Sequence, residues 1–464
     1  MANAFRDPYW RAQVAHEVEV APGAKAEIEG LCLRCHGPIV SHQARMDGVE
    51  APAIELAVTE PLARDGVSCT VCHKSGPERL GTPESFSGLL ALGDAPIVYG
   101  PYPEPSTGPM RMHTGFTPTH GEHISSSALC GACHTLYTRA AGASEPFLEQ
   151  APYLEWLNSE FNDESGASET SRSCVQCHMP DEGTMRIARS PMGTDFVIQI
   201  RDHVRGHTFV GGNAFLLDLL RENAAELGVT ATAQALARTA AATRAQLAHS
   251  TAKIEIRSIR RSGAQIEFDV HVENLCGHKL PSGYPSRRAW LDVEVRSGRT
   301  TLFESGAVDA SGRLAGVADE LALPHFERIE APEQVAVFEM IGVDAAGRPT
   351  TSLAEMVRRT KDTRLLPRGW RADGPHADET RPIGTETDSS FAAGGDVVSY
   401  RVAIQEEAQG TLTLVARLLY QPIPPAWADG LRDSKTPEAA AFLRMYDAAD
   451  KAPETIALTV ELVE

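Results

Sequence analysis

The sequence predicts an α+β multidomain protein, and three features of the chain lead to that prediction. The pattern Cys-x-x-Cys-His occurs four times between residues 32 and 178, in a segment rich in Gly, Pro and short polar runs. Residues 213–250 have the apolar periodicity of helices, and short strands of alternating character follow from residue 253. We therefore expect an irregular domain over 1–209, a helical connector over 210–250 and a β-domain over 251–464.

The four repeated motifs have the spacing of c-type haem attachment sites. Two thiols add to the two vinyl groups of one porphyrin, and the adjacent imidazole binds the iron. The cysteines are Cys32 and Cys35, Cys69 and Cys72, Cys130 and Cys133, and Cys174 and Cys177, and the histidines that follow them are His36, His73, His134 and His178. The sequence therefore predicts four covalently attached c-type haems.

Other uses of paired cysteines explain the pattern less well. Two Cys-x-x-Cys pairs can form a tetrahedral zinc site, but zinc does not require a histidine after every second cysteine. A dithiol redox motif usually occurs once and not in series, and disulfides explain the spacing still less. Eight of the nine cysteines belong to the motifs, and we expect the ninth, Cys276, to be a small buried apolar residue.

Composition limits the partners of the chain. A formal charge of −19 over 464 residues argues against nucleic acid and anionic membranes. No apolar run approaches the roughly 20 residues that a transmembrane helix needs. Haem propionates need cations nearby, for which Arg287 and Arg288 are candidates. Because c-type haem is attached outside the cytoplasm, we expect a periplasmic or extracellular protein; the chain begins without an export signal, so we take it to be a mature form.

The remaining elements follow from local patterns. In the first domain the haems replace a side-chain core, and short helices are expected over 12–17 and 147–161. Two helices are expected over 213–227 and 230–250. Alternating strands, which together suggest an antiparallel β-sandwich of immunoglobulin-like type, are expected at 253–259, 265–272, 289–295, 335–341, 397–404, 412–419 and 456–462. We expect an irregular excursion over 367–395 and a short helix over 437–449.

Twelve histidines outside the motifs are candidates for the second axial position of a haem iron. Six of them, which lie between the first motif and the helical connector, are His42, His113, His120, His123, His203 and His207. His278 stands apart, in the loop Cys276-Gly277-His278-Lys279-Leu280-Pro281-Ser282-Gly283 between two strands. Either the β-domain reaches across through His278 to ligate a haem, or His278 is a loop residue held by a backbone carbonyl.

Several segments resemble the multihaem c-type cytochromes related to tetrahaem cytochrome c554. They cover roughly the first 210 residues and are 65–73, His123 with 129–138, Glu149 and Gln150 with 155–159, and 174–180. The later segments 206–209, 277–283 and 361–367 resemble multihaem proteins of this kind that carry a β-domain.

The resemblance also implies axial ligands. By position, His42 would serve the fourth haem, one of His113, His120 or His123 the first, and His207 or His203 the third. The second haem is five-coordinate in cytochrome c554, and His278 is the candidate to close it here.

Two functions follow from the coordination. If all four irons are bound by paired histidines, the chain is an electron carrier between other redox proteins. If one haem keeps an open face, it is an oxidoreductase acting on a small nitrogen or sulfur compound. A haem-bearing adhesion or scaffold module ranks last. Assembly into a homo-oligomer or a filament stays open.

Overall fold

The structure is a computed structural model that describes residues 1–189, 198–404 and 410–464. Short helices and irregular segments make up its first part. The helices are α1 (Pro8–Val20), α2 (Lys25–His36), α3 (Pro38–Met46), α4 (Ile54–Ala57), α5 (Pro61–Arg64), α6 (Cys69–His73), α7 (Thr107–Thr114), α8 (Ser127–Gly131), α9 (Pro152–Leu157) and α10 (Cys174–His178).

Local sequence explains where several of these helices begin. The Asp7 carboxylate accepts hydrogen bonds from the backbone N–H groups of Tyr9 and Trp10, and Pro8 occupies the first position of α1. α10 begins with a capping box, in which Ser173 and Gln176 satisfy each other's backbone N–H groups. These caps hold helices of as few as five residues in place.

Two small sheets lie among the helices. The parallel pair is β1 (Ile97–Gly100) with β2 (Thr117–His120), and the antiparallel pair is β3 (Leu136–Thr138) with β4 (Phe147–Gln150). The predicted helix over 147–161 is therefore wrong in its first part. Residues 147–150 alternate between buried and half-buried, as a strand does, and the helix starts only at Pro152, because a residue before proline disfavours the helical conformation.

The segment predicted as a helical connector is helical in the structure, with one additional break. It consists of α11 (Ala214–Glu222), α12 (Ala224–Leu227) and α13 (Ala233–Ser250). Asn213 and Thr232 cap the N-termini of α11 and α13 with their side chains. Gly228 ends α12 with a φ of 63°, a left-handed conformation that glycine adopts without strain.

The remaining part of the chain is built mainly of strands. These are β5 (Ala252–Ser262), β6 (Gln265–Asn274), β7 (Arg288–Ser297), β8 (Thr300–Ser305), β9 (Arg328–Ile329), β10 (Val337–Phe338), β11 (Met340–Val343), β12 (Arg358–Asp362), β13 (Gly395–Ala403), β14 (Leu412–Gln421) and β15 (Glu454–Val463), with helices α14 (Ala377–Thr380), α15 (Pro425–Asp429) and α16 (Pro437–Ala448).

Two of the sheets share one hydrophobic core. One has the strand order β5-β6-β13-β9, and the other has β10-β7-β14-β15 with β8 beside β7. Inward residues of both sheets, including Phe268, Tyr400, Leu291 and Leu414, belong to a single buried cluster. The pairing is antiparallel except between β9 and β13. The described residues thus form a mixed α+β fold, and the immunoglobulin-like topology stays a prediction.

The strand predicted over 335–341 is divided in the structure. Val337 and Phe338 pair with β7, whereas Met340 to Val343 pair with β12. The chain changes sheets at Glu339, whose carboxylate forms an ion pair with Lys361 of β12 at 2.9 Å. A local pattern of alternation cannot show such a change of partner.

A second core crosses the boundaries that the sequence predicted between domains. It joins Tyr9 of α1, Leu219 of α11 and Phe442 of α16 with further residues from the rest of the chain. Consequently the N-terminal helix packs against the C-terminal helix α16. None of the described helices combines the length and apolarity required to cross a membrane.

Candidate haem-binding site

Each Cys-x-x-Cys-His motif contains or adjoins a turn of helix. The first ends α2, the second and fourth are the whole of α6 and α10, and the third begins in α8 and continues past its last residue. Residues separated by three and four positions lie on the same face of a helix. A turn of this kind therefore presents its two thiols and its imidazole to one side.

Backbone carbonyls bind the Nδ1 side of three of the four motif histidines. His36 Nδ1 donates to Ala4 O at 2.9 Å, His73 Nδ1 to Tyr99 O at 2.6 Å, and His178 Nδ1 to Val210 O at 2.6 Å. A neutral imidazole that donates through Nδ1 keeps Nε2 as a free acceptor. This is the tautomer and the fixed orientation that a metal ligand requires.

Removal from bulk water keeps these imidazoles neutral. Burial lowers the pKa of His36 to about 4, with a smaller opposing contribution from its hydrogen bond to Ala4. Desolvation likewise lowers the pKa of His134 to about 4, and electrostatic interactions with His178 and Arg287 act in the same direction. As a residue, His134 is nevertheless exposed, so the protein around it does not enclose it completely.

The thiols of the third motif lie next to those of the other motifs. The thiol of Cys133 lies close enough to Cys35, and that of Cys130 close enough to Cys174, for each neighbour to raise its pKa. Cys72 is close enough to Cys133 to raise its own pKa, after the larger effect of burial. The third motif is therefore the point at which all four attachment sites converge.

Two motif histidines face a second histidine ring. The centroids of His73 and His207 are 6.2 Å apart with 36° between the ring planes. Those of His178 and His278 are also 6.2 Å apart, with 10° between the planes. Two imidazoles on opposite sides of one metal ion, each with a nitrogen about 2 Å from it, have ring centres about 6 Å apart. The spacing of both pairs fits an iron between them.

One of the two facing histidines is also held by a backbone carbonyl. His278 Nδ1 donates to Lys279 O at 2.8 Å. Burial lowers the pKa of His278. His73, His178 and His278 thus carry a fixed donor on Nδ1 and leave Nε2 free.

The partners in these pairs differ from those that the resemblance implied. His278 faces His178 of the fourth motif and not His73 of the second, and His207 faces His73 and not His134 of the third. The loop with His278 packs on α9, where a Cβ at Gly277 would lie 3.0 Å from Trp156 Cδ1. Residue 277 must therefore be small for the loop to come this close.

A buried carboxylate from the first part of the chain binds the His278 loop. Glu155, in α9, accepts hydrogen bonds from the Lys279 backbone N–H at 3.1 Å and from Ser282 Oγ at 2.5 Å. Arg364 Nη1 lies 3.0 Å from the other carboxylate oxygen. Glu155 is fully buried, so its charge depends on these partners.

A second buried carboxylate binds the same loop from the β-domain. Asp362 accepts from Lys279 Nζ at 2.8 Å, from Arg359 Nη1 at 3.0 Å, and from Arg364 Nε and Nη2 at 2.8 Å each. Lys279 and Asp362 are both 0% exposed. We call Glu155, Lys279, Arg359, Asp362 and Arg364 the buried ion network. Four of its five members lie in segments singled out by the resemblance, 155–159, 277–283 and 361–367, and Arg359 lies just outside the last of them.

The other predicted ligands take different positions. His123 donates through Nε2 to Ser75 O at 2.8 Å, and its ring packs edge-on against Tyr99. His42 is half-buried in α3, and His113 and His120 are exposed. His203 is exposed and pairs with Asp181 at 2.8 Å. In the parts of the chain that the structure describes, no imidazole faces His36 or His134 at the 6.2 Å spacing.

The two arginines proposed for the propionates have different environments. Arg287 is half-buried, donates to Ser282 O at 2.6 Å, and lowers the pKa of both His134 and His278 after the larger effect of burial. Arg288 instead forms an ion pair with Glu320 at 3.2 Å and lies over the Trp290 ring. The structure therefore assigns Arg288 to the interior of the β-domain, and Arg287 alone lies beside the motif histidines.

Sequence reasoning missed two features beside the first motif. Trp10 stacks on His36, with ring centroids 4.3 Å apart and 2° between the planes. Glu149 lies near Cys32, and burial raises the pKa of this carboxyl to about 8. Trp10 and Glu149 lie far along the chain from the motif residues that they contact, so no local pattern indicated either contact. Glu149 does belong to a segment that carries the resemblance.

One solved structure has a similar fold. It is a penta-haem cytochrome c552 from Thermochromatium tepidum, to which the chain is similar with a TM-score of 0.52 at 17% sequence identity. The match covers 93% of this chain and 84% of that one. At this identity the likeness concerns the fold alone. No protein-family model matches the chain, and no curated protein sequence matches it.

Proposed function

We propose that the chain is a c-type cytochrome that binds four haems covalently and passes electrons between other redox proteins. The four Cys-x-x-Cys-His motifs support the attachment, and the two pairs of facing imidazoles carry the functional part of the proposal. Bound haem supplies one-electron iron chemistry. An iron closed on both faces has no position for a substrate, which favours electron transfer.

The proposed ligand set follows from the geometry of the rings. His73 and His207 bind the iron of the second haem, and His178 and His278 that of the fourth. His36 and His134 are the proximal ligands of the first and third. His123 is the preferred candidate for one of the two remaining positions, because its Nε2 is occupied by Ser75 O and its Nδ1 is free; His42 and His113 are the others.

The surrounding residues hold these ligands in one orientation. Carbonyls of Tyr99 and Val210 fix the rings of His73 and His178, and the buried ion network fixes the loop that carries His278. A ligand that does not move when the charge of the iron changes keeps the reorganisation on electron transfer small. This is the contribution that the polypeptide makes to the proposed function.

Single replacements of the facing histidines test the proposal in the haem-loaded protein. We expect His207→Ala and His278→Ala each to convert one haem of four from low-spin to high-spin, in electron paramagnetic resonance and in visible spectra. His249→Ala is the matched control, because His249 is exposed in α13 and is not among the proposed ligands. The double variant His207→Ala/His278→Ala should give two high-spin haems.

The count of haems is a separate measurement. Alkaline pyridine spectra of the wild-type protein should give four haems c per chain. Spectra of His207→Ala and His278→Ala that match the wild type would contradict the ligand assignment, whereas a lower haem count would contradict the tetrahaem assignment.

A second candidate function is an oxidoreductase acting on a small nitrogen or sulfur compound. The pairing of His73 with His207 moves the candidate open face from the second haem to the first or third, since His36 and His134 are the motif histidines without a facing ring among the described residues. A stoichiometric high-spin haem in the wild type, with a carbon monoxide adduct on reduction, would favour the enzyme. If the wild type has no high-spin haem and His123→Ala creates one, the electron-carrier function is favoured.

The proposed location is periplasmic or extracellular, because c-type haem is attached there. The formal charge of −19 favours redox partners with a basic docking surface, since opposite charges speed association. The rate of electron exchange with such a partner should fall as ionic strength rises.

A further inference from the structure

A cluster of three metal-binding side chains lies in the β-domain and takes no part in the haem site. It consists of His325, Asp388 and Asp396, and each contributes one nitrogen or oxygen atom to a group in which all atoms lie within 4.8 Å of one another. His325 lies in the loop before β9, Asp388 in the loop before β13, and Asp396 in β13 itself. We call these three residues the His-Asp-Asp cluster.

The cluster is closed to solvent. The side chains of His325 and Asp388 are 4% and 3% exposed, and Asp396 is 3% exposed. The ring of Phe391 covers His325, with centroids 5.6 Å apart. Placing two carboxylates in a buried site costs free energy unless cations or hydrogen bonds compensate for the lost water.

The protein compensates for only part of this cost. Asp388 Oδ2 lies 2.8 Å from His325 Nε2, and Asp388 Oδ1 accepts from the Ser390 backbone N–H at 2.8 Å. Asp396 Oδ1 accepts from the Val397 N–H at 2.7 Å. Asp396 Oδ2 is buried and has no hydrogen-bond partner. One histidine therefore has to serve two carboxylates, and one oxygen atom is left without any donor.

Ser390 orients both carboxylates. Its hydroxyl lies 2.6 Å from Asp388 Oδ1 and 3.2 Å from Asp396 Oδ1. The backbone N–H groups of Ser390 and Val397 also donate to Oδ1 of Asp388 and Asp396, respectively, so the second oxygen of each carboxylate is directed to other partners. Hydrogen bonds of this kind, behind the donor atoms, are typical of metal ligands.

We propose that the His-Asp-Asp cluster binds one divalent transition-metal ion, and Zn²⁺ is the ion that suits it best. An imidazole among the donors favours Zn²⁺ or Mn²⁺ over Ca²⁺ and Mg²⁺, which prefer oxygen ligands alone. Two donors about 2.1 Å from a tetrahedral ion lie about 3.4 Å apart, so atoms that lie within 4.8 Å of one another have to approach by up to ~1.4 Å. The ion ties the loop before β9 to β13.

The charge of Asp396 could be neutralised by a metal ion or by a proton, and a variant of this residue separates the two. Without a metal ion, one oxygen atom of the buried Asp396 carboxylate has no donor, so the charge of this group is costly. Asp396→Asn removes that charge and at least one metal ligand. The metal-free variant should therefore be as stable as the metal-free wild type or more stable, and only the wild type should gain stability from Zn²⁺.

Metal analysis of the haem-loaded full-length protein is the direct test. We expect one Zn²⁺ or Mn²⁺ ion per chain in addition to the haem iron. After removal with a chelator, titration with Zn²⁺ alone should restore one site, with a rise in the unfolding temperature that increases with free Zn²⁺. Asp396→Asn and His325→Gln should lose the site, and Ser390→Ala should weaken it by about 10–100-fold.

A second histidine–carboxylate pair in the same domain is the matched control. His376 Nδ1 lies 2.6 Å from Glu379 Oε2 and is not part of the cluster. His376→Gln should keep the ion and its affinity. The proposal is overturned if the wild type neither contains the ion nor binds Zn²⁺ or Mn²⁺ at micromolar concentration, or if Asp396→Asn and Ser390→Ala bind Zn²⁺ as the wild type does.

Discussion

Replacement of Asp362 by Asn tests how the β-domain holds His278. Asp362 is 0% exposed and accepts hydrogen bonds from Lys279, Arg359 and Arg364 at 2.8–3.0 Å. Although burial opposes ionisation, Arg364 and Lys279 lower the pKa of its carboxyl below the usual range. The carboxylate is therefore charged at any pH near neutrality, and the three cations depend on it.

The size of the effect follows from what remains after the replacement. Asparagine keeps the shape of the side chain but not the charge, so Lys279, Arg359 and Arg364 share the single carboxylate of Glu155. Removing one member of a buried ion pair costs about 3–5 kcal/mol, because the other charge stays buried without compensation. Lys279 should release its proton more readily, since burial already lowers its pKa to about 8.

Two measurements on the haem-loaded protein separate stability from ligation. Denaturant unfolding followed by circular dichroism should show the loss of about 3–5 kcal/mol. Electron paramagnetic resonance should show a partial high-spin signal from one haem, because the His278 loop loses one of its two anchors. Glu155→Gln should have the same spectroscopic effect.

A neighbouring buried ion pair provides the control. Glu339→Gln breaks the pair with Lys361, which is also buried and lies at 2.9 Å, without touching the His278 loop. It should reduce stability comparably and leave all haems low-spin. The reasoning would be refuted by an Asp362→Asn protein of unchanged stability, or by one whose spectra match those of Glu339→Gln.

Two further predictions concern groups beside the other motifs. Burial raises the pKa of the Glu149 carboxyl to about 8. The stability that this protonated carboxyl contributes is therefore complete below about pH 4.5 and is lost as the pH rises towards 8. Between pH 6 and 8 the free energy of unfolding should fall by about 2 kcal/mol more in the wild type than in Glu149→Gln. An equal pH dependence in both proteins would contradict this. Arg287→Gln should lower the reduction potential of the third or fourth haem on the order of tens of millivolts, because a cation stabilises the reduced form; redox titration measures this, and Arg287→Lys should preserve the potential.

The features that the sequence predicted well are those encoded by neighbouring residues. A Cys-x-x-Cys-His motif is complete within five positions, and the periodicity of 213–250 lies within single helices. The alternation of residues such as Ile266, Phe268 and Val270 also follows from local geometry, and all three are buried in the shared core. Each of these patterns depends on the residue period of one element and on nothing elsewhere in the chain.

The pairing of the histidines could not be predicted in this way. His278 is separated from His178 by about 100 positions, and its approach depends on Gly277 packing on Trp156 and on Glu155 binding the Lys279 backbone N–H. Analogy by position paired His278 with the second motif, whereas its ring lies opposite His178 of the fourth. The stacking of Trp10 on His36 likewise depends on how α1 packs on α2.

The contacts between thiols of different motifs affect how the protein is made. Cys35 lies beside Cys133, and Cys130 beside Cys174. In an oxidising compartment, neighbouring thiols form disulfides, and a bond between two motifs would block two attachment sites at once. A chain that folds before haem is attached can therefore form disulfides that prevent haem attachment. Either haem attachment precedes the docking of the third motif, or a reductant must protect these thiols until attachment is complete.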